Sequence, residues 1–120
     1  MANPFVHVEL NTNDVGKAKA FYGRMFDWKM EDVPMGTETY TMIGVGDGTG
    51  GGLLQNSMPG AQSMWVAYVE VDDIHAATNK ARSLGAAVIK EVSPVQDMGW
   101  LSMIVDPTGA TLGLWQPSAK

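Results

Sequence analysis

Residues 5–28 read FVHVELNTNDVGKAKAFYGRMFDW and combine two different periodicities. Residues 5–10 are β-prone and alternate in character, which predicts a strand. Asn13 or Asp14 then offers a side-chain oxygen that can cap the first amides of a helix. The apolar residues that follow recur at helical spacing and predict one apolar face: Val15, Ala18, Tyr22, Met25 and Phe26. The stretch therefore predicts a strand followed directly by an amphipathic helix.

The same arrangement recurs 59 residues further along the chain. Asp14 falls on Asp73, and the turn-forming DGTG at 47–50 falls on DPTG at 106–109. A shared offset at both a helix start and a turn indicates a duplicated unit. The expected organisation is a single domain over residues 1–120, with units at about 4–57 and 63–117 and a linker at 58–60.

The second copy repeats the strand, the cap and the helix. Residues 65–71 predict a strand, and Asp72 or Asp73 is the expected cap. The predicted apolar stripe consists of Ile74, Ala77, Ala81 and Leu84. Gly85 is well placed as the residue that ends the helix in a left-handed conformation.

Each predicted helix is followed by shorter strands. The expected hairpin strands are 39–45 with 52–55, and 100–105 with 111–115; the expected edge strands are 28–33 and 87–91. A strand, a helix and then a run of strands predict an α+β protein of two βαβββ units, with helices on one face of the sheet only.

Strand alternation assigns side chains to the two faces of this sheet. The residues expected to pack on the helices are Val6, Val8 and Leu10, then Ala67, Val69 and Val71, then Leu112 and Leu114. The residues expected on the open face are His7, Glu9 and Asn11, then Val66, Tyr68 and Glu70, then Thr111, Gly113 and Trp115.

Composition excludes several classes of function. The net charge is −5 and the eight Lys and Arg residues are scattered, so we expect no nucleic-acid partner and no membrane partner. The chain has no cysteine, which removes disulfides, thiolate ligands and a cysteine nucleophile. No signal peptide and no membrane span are predicted, so the expected location is the cytoplasm.

The sequence resembles the vicinal oxygen chelate superfamily, which includes glyoxalase I, bleomycin-resistance proteins and extradiol dioxygenases. The resemblance rests on these segments: HVEL at 7–10, FYGRMFDW at 21–28, VDD at 71–73, DPTG at 106–109 and LGLW at 112–115. It is strongest to a glyoxalase-like subgroup without an assigned substrate. It implies a curved mixed sheet with both helices on its convex face.

The resemblance also implies four metal-ligand positions on the concave face: His7, Leu54, Val66 and Gly113. Only His7 has a donor atom, whereas a catalytic divalent ion generally needs about three protein ligands. We therefore predict no metal and no other cofactor. A shifted site of His7, Glu9 and Glu70 stays open as the less favoured alternative.

Three functions fit these residues. The first is a metal-independent small-molecule binding protein with the pocket His7, Leu54, Val66, Tyr68, Gly113 and Trp115. The second is a glyoxalase-like lyase or isomerase in which His7, Glu9 or Glu70 acts as the base. Glu9 and Glu70 are interpreted either as solvated carboxylates at the pocket rim or as a pair that binds a cationic ligand.

The third function is a homodimeric subunit without catalysis. Two-unit members of the superfamily commonly form homodimers. An exposed curved sheet that carries Trp65, Trp100 or Trp115 would provide the contact surface.

Overall fold

The computed structural model describes residues 2–56 and 60–118. The elements in the first half are β1 (Phe5–Thr12), α1 (Val15–Met25), β2 (Lys29–Met35), β3 (Glu38–Gly44) and β4 (Gly51–Gln55). Those in the second half are β5 (Met64–Glu70), α2 (Ile74–Ser83), β6 (Ala87–Val95), β7 (Gly99–Val105) and β8 (Thr111–Pro117). The predicted α+β class and the order βαβββ are therefore confirmed in both halves. Residues 58 and 59 of the predicted linker 58–60 lie outside the described residues.

The contacts divide the chain into two compact units. His7–Val66 form the first unit, and the rest of the described chain, on both sides of that segment, forms the second. The strand order is β2-β3-β4-β1 in the first unit and β5-β8-β7-β6 in the second. The pairs β1–β4 and β5–β8 are parallel and the other pairs are antiparallel. Both units thus have one topology, as the repeat predicts.

The two helices begin where the sequence predicts. Asp14 caps α1 by accepting a hydrogen bond from the Lys17 amide at 2.9 Å, and Asp73 caps α2 by accepting one from the Ala76 amide at 3.1 Å. Each cap satisfies an amide that has no partner within its helix. Gly85 follows α2 with a φ of 99°, which is the predicted left-handed conformation.

The core of the first unit lies between α1 and the sheet. Leu10, Ile43 and Leu53 are buried together, and Ala18 and Tyr22 of α1 pack against them. Leu10 therefore lies on the helix side of β1, as the alternation predicts.

The two helices are short: α1 has 11 residues and α2 has 10. Within the described residues, no helix is long and apolar enough to span a membrane.

The predicted apolar faces of both helices are wrong at the helix ends. Met25 is 55% exposed and Phe26 is 43% exposed, although helical spacing predicts that both pack on the sheet. Leu84 is 68% exposed. Phe26 and Leu84 are the residues at which the chain leaves each helix, so helical spacing no longer sets the direction of their side chains.

The second unit packs α2 on its sheet through a polar contact as well as apolar ones. Ile74 and Thr78 are the buried residues of α2. The Thr78 hydroxyl lies 2.9 Å from the Ser102 hydroxyl on β7. The predicted β7–β8 hairpin is confirmed, and its turn is closed by Asp106, whose Oδ1 accepts from the Thr108 amide at 2.7 Å.

A leucine pair tests where the core lies. Leu53→Ala removes a side chain with 0% exposure, and we expect it to lower the free energy of unfolding by about 2–5 kcal/mol. The matched control Leu84→Ala removes the same atoms from an exposed site, with an expected change within about 0.5 kcal/mol. Urea unfolding of both variants measures the difference, and similar losses in the two would contradict this core.

Candidate functional site

Three polar side chains of β1 lie on the face opposite the Leu10 core. Glu9 has 0% exposure, Asn11 has 6%, and His7 is half-buried. The interpretation of Glu9 as a solvated carboxylate at a rim is therefore wrong. Burying a carboxylate is costly unless hydrogen bonds compensate for the lost water. The hydrogen-bond partners of Glu9 therefore define the polar cluster on this face.

Glu9 is held by donors on both of its oxygens. The Tyr40 hydroxyl donates to Oε1 at 2.7 Å, and the Asn11 amide nitrogen donates to Oε2 at 2.9 Å. The same Tyr40 hydroxyl lies 2.7 Å from His7 Nε2. Among the described residues no buried side-chain nitrogen or oxygen lacks a partner. His7, Tyr40, Glu9 and Asn11 therefore form one hydrogen-bonded chain, here called the Glu9 network.

Tyr40 reaches this network by crossing a neighbouring strand. It lies on β3, whereas His7 and Glu9 lie on β1, and β4 runs between those two strands. Gly52 of β4 pairs with Glu9 in the register. A Cβ at Gly52 would lie 2.3 Å from the Tyr40 hydroxyl oxygen, so only glycine lets the ring pass over this strand.

Burial determines the protonation of His7. It lowers the pKa of the imidazole to about 4, because the charged form loses its hydration in this environment. At neutral pH the ring is therefore uncharged and has one N–H donor and one acceptor nitrogen. The site can offer hydrogen bonds to a bound molecule without introducing a positive charge.

The other predicted site residues have different surroundings. Leu54 and Val66 are buried, with 2% and 1% exposure. Tyr68 and Gly113 meet in the second unit, where a Cβ at Gly113 would lie 2.4 Å from the Tyr68 ring. The remaining two, Glu70 and Trp115, also lie in the second unit and are half-buried.

The sequence patterns do not identify Tyr40, Asn11 and Gly52 as functional candidates. Strand alternation places Asn11 on the correct face without giving it a role, and Tyr40 falls in a predicted strand like its neighbours. One signal is available, because Gly52 is the first residue of a predicted strand and directly follows Gly51. Glycine in a strand commonly marks a close approach of another group.

The residues at the implied metal positions do not fit a divalent ion. Leu54 and Val66 have no donor atom, and the Tyr68 ring occupies the space that a side chain at 113 would need. Nε2 of His7 already faces the Tyr40 hydroxyl. Within residues 2–56 and 60–118 no group of three or more His, Cys, Asp or Glu side chains is arranged to hold a metal.

A second polar cluster lies on the α1 side of the first unit. Asp32 accepts from Lys19 Nζ at 3.0 and 3.1 Å and from the Thr41 hydroxyl at 2.7 Å. The Thr41 hydrogen bond, followed by the Lys19 bond, lowers the pKa of Asp32. The three residues border a cavity of about 390 Å³. Because this ion pair is solvent-accessible, its contribution to stability is small.

A family model matches this chain over residues 5–114, and it describes the Glyoxalase/Bleomycin resistance protein/Dioxygenase superfamily. The chain belongs to this superfamily. The predicted resemblance is thereby confirmed. The chain is also 36% identical over 115 residues to the protein named "Putative glyoxylase CFP32" in Mycobacterium bovis and Mycobacterium tuberculosis. That match covers 91% of this chain and 44% of the relatives, so the chain spans less than half of their length.

Solved structures share the fold at low sequence identity. Methylmalonyl-CoA epimerase from Mycobacterium tuberculosis superposes with a TM-score of 0.70 at 14% identity, covering 96% of this chain and 88% of that one. The Streptomyces coelicolor methylmalonyl-CoA epimerase in complex with 2-nitronate-propionyl-CoA gives 0.71 at 13% identity, covering 99% and 100%. At this identity the likeness shows the superfamily fold alone.

A glycine substitution tests the path of Tyr40. Gly52→Ala places a methyl group against the Tyr40 ring, and we expect it to lower the free energy of unfolding by about 1–3 kcal/mol. Gly23→Ala is the matched control, because no atom lies within 4 Å of the place that its Cβ would take. Alanine is a better helix former than glycine, so the control should gain about 0.5–1 kcal/mol. A Gly52→Ala variant as stable as wild type would contradict the crossing.

The low pKa of His7 predicts how stability depends on pH. Between about pH 6.5 and about pH 4, His7 binds a proton in the unfolded chain but not in the folded chain. Folding therefore becomes less favourable as the pH falls through this range. We expect the free energy of unfolding of wild type to decrease more steeply in this window than that of His7→Gln. His75→Gln, which removes the exposed histidine of α2, is the matched control. Equal slopes for the two variants would contradict a buried, neutral His7.

Proposed function

We propose that this chain is a small-molecule binding domain of the glyoxalase type that works without a divalent metal and contacts its ligand through His7. One observation carries the proposal: a carboxylate with 0% exposure is joined through Tyr40 to a half-buried histidine. Buried ionisable groups of this kind are concentrated at functional sites. A cytoplasmic location is part of the proposal.

The protonation of His7 favours binding over base catalysis. A general base works best when its pKa lies near the working pH. Burial holds the pKa of His7 near 4, so the imidazole is a weak proton acceptor at neutral pH. It remains a competent hydrogen-bonding group, which is what a binding site requires. The lyase or isomerase reaction with His7 as its base therefore receives less support than recognition.

The burial of Glu9 also favours a neutral or polar ligand over a cation at His7. Both Glu9 oxygens already accept hydrogen bonds and the side chain has no exposure, so Glu9 acts by positioning Tyr40 rather than by meeting a ligand. Glu9 therefore supplies no argument for a positively charged ligand.

A ligand panel tests the binding function. We propose thermal-shift titrations with methylmalonyl-CoA, with small neutral aromatic alcohols and amides, and with quaternary ammonium aromatics. A ligand that binds the folded state raises Tm as its concentration increases. We expect at least one neutral or acyl-CoA compound to raise the Tm of wild type and of His75→Ala, but not that of His7→Ala.

Two results would contradict the proposal. The first is a panel in which no compound raises the Tm of wild type. The second is a ligand that stabilises His7→Ala as strongly as wild type. Metal analysis of protein purified without a chelator adds an independent arm, because a stoichiometric divalent ion would contradict the metal-free site.

Self-association is a second candidate function, because one side of the first unit exposes many large apolar residues. They are Val8, Phe21, Met25, Phe26, Met64 and Trp65, each between 37% and 56% exposed. This set is here called the α1 patch. Its ring contacts are continuous: Tyr22 lies 4.8 Å from Phe21 and 5.5 Å from Trp65, centroid to centroid. A contiguous exposed apolar surface indicates a protein interface.

A second copy of this chain is the proposed occupant of the α1 patch. The curated relatives are more than twice as long as the segment they share with this chain, which leaves room for a second such domain beside the first. The sequence predicts a dimer surface that carries Trp65, Trp100 or Trp115. Of these tryptophans, Trp65 is 41% exposed and belongs to the α1 patch, whereas Trp100 and Trp115 are half-buried.

Light scattering over a range of concentrations tests this dimer. We expect wild type to approach twice the mass of the 12.9-kDa chain, and Phe21→Ser to remain a monomer at the same concentrations. Phe5→Ser is the matched control, because Phe5 is 68% exposed but lies outside the α1 patch. A monomeric wild type at every concentration, or equal effects of the two substitutions, would contradict the assignment.

A further inference from the structure

A separate apolar cavity of the first unit lies on the side of the sheet that carries α1, opposite the Glu9 network. It has a volume of about 290 Å³, and all of its lining residues belong to His7–Val66. Its apolar wall consists of Val8, Trp28, Ile43, Val45 and Trp65. Ile43 is part of the buried core, and Trp28 and Val45 pack against that core. The cavity, here called the Trp28 cavity, is therefore a gap at the edge of the apolar core.

The Trp28 cavity offers a ligand few hydrogen-bonding groups. Among the described residues that line it, none carries a charge, and the exposed Thr49 has the one hydroxyl. The backbone is paired within the sheet, because the Val8 amide donates to the Gly50 carbonyl at 3.1 Å and Gly51 pairs with both Val8 and Ile43. A charged or strongly polar ligand would lose hydration here without gaining partners.

Two indole rings form a corner in the wall of this cavity. The centroids of Trp28 and Trp65 lie 6.4 Å apart, and the ring planes meet at 80°. Tyr22 and Phe26 also contact Trp28, with centroid distances of 5.7 and 4.7 Å, which restricts its movement. Aromatic rings prefer offset-stacked or edge-to-face contacts. A flat ring that stacks on one of the two indoles therefore meets the other edge-on.

The volume of the cavity determines the size of the ligand. Pockets for drug-sized ligands have volumes of about 300–1,000 Å³, whereas an apolar cavity of about 150 Å³ is enough to bind benzene. The Trp28 cavity, with about 290 Å³, lies between these cases and suits one or two fused rings. Val8, Thr49 and Trp65 are exposed, so the ligand would enter between them.

We propose that the Trp28 cavity is a second small-molecule site, which binds a neutral aromatic ring without hydrogen-bonding substituents against Trp28 and Trp65. This site does not depend on the binding function proposed for His7, because it lies on the Leu10 side of β1 and His7 lies on the other side. Its ligand gains from apolar burial and ring contacts rather than from hydrogen bonds.

NMR of the indole N–H groups tests the site in the full chain, with toluene as the probe. The chain has four tryptophans, and triple-resonance and NOE spectra assign their ¹H–¹⁵N signals. Trp100 and Trp115 lie in the second unit and serve as the internal control. We expect toluene to shift the signals of Trp28 and Trp65 in a saturable way and to leave the other two in place. No saturable shift, or equal shifts of all four signals, would overturn the proposal.

Phenol is the matched ligand that tests the apolar character of the site. It has nearly the shape of toluene but carries a hydroxyl in place of the methyl group. Burying a methyl group is favourable, whereas burying a hydroxyl without a partner is costly, so half-saturation should need about fivefold more phenol than toluene, or more. Equal affinities of the two compounds would overturn the ligand class.

A cavity-filling substitution tests the location. Val45→Phe adds a ring to the wall of the Trp28 cavity, and we expect it to abolish the toluene shifts. Val105→Phe is the matched control, because Val105 is a half-buried valine of the second unit. Unchanged toluene binding by a folded Val45→Phe variant overturns the location, and the wild-type titration decides the proposal alone where this variant does not fold.

Phe21→Ser separates the cavity from the α1 patch. Val8 and Trp65 belong to both, so a second copy bound to the patch would lie at the opening of the cavity. We expect toluene to bind Phe21→Ser, the variant designed to be monomeric, at least as tightly as wild type. Shifts that appear in Phe21→Ser but not in wild type would show that the second copy closes the cavity, and would overturn the proposal.

Discussion

The Tyr40 hydroxyl is the atom on which the arrangement of this site depends. The Tyr40 side chain starts on β3 and passes over Gly52 on β4. Its hydroxyl is hydrogen-bonded to Glu9 and His7 on β1. Glu9 has no exposure, and a buried carboxyl group without hydrogen-bond partners would be destabilising. Tyr40 and Asn11 remove that cost by donating to the two carboxyl oxygens. The same bonds orient His7, so one set of contacts stabilises the fold and organises the site.

Much of the fold could be predicted because it depends on local chemistry. Asp14 and Asp73 cap helices, Gly85 ends one, and alternation in β1 separates Leu10 from Glu9. The errors occur where local rules stop applying. Phe26 and Leu84 lie at helix ends, and there the chain direction rather than helical spacing places the side chain.

The Glu9 network could be predicted only in part. Strand parity places His7, Glu9 and Asn11 on one face, but it does not show that Glu9 is buried or bonded. Tyr40 is 31 residues from Glu9 in the sequence, and their contact depends on a strand order that periodicity does not reveal. The adjacent Gly51 and Gly52 indicate a close approach without identifying the approaching residue.

Membership of the superfamily establishes the fold, whereas the site depends on the individual side chains that this chain carries. Positions 54, 66 and 113 carry Leu, Val and Gly, which cannot supply the ligands that a divalent ion requires. The first unit instead concentrates its buried polar chemistry in the Glu9 network. Function resides in such sites rather than in the fold that carries them, and the likeness to the epimerases shows the fold alone.

A double-mutant cycle on Tyr40 and Glu9 tests this account most directly. Urea unfolding of wild type, Tyr40→Phe, Glu9→Gln and the double variant gives the interaction energy between the two side chains. Residues in one buried hydrogen-bond network should be coupled by about 0.5–3 kcal/mol. Effects of the two substitutions that add to within about 0.3 kcal/mol would show that the Tyr40 hydroxyl does not hold Glu9, and would contradict the organisation of the site described above.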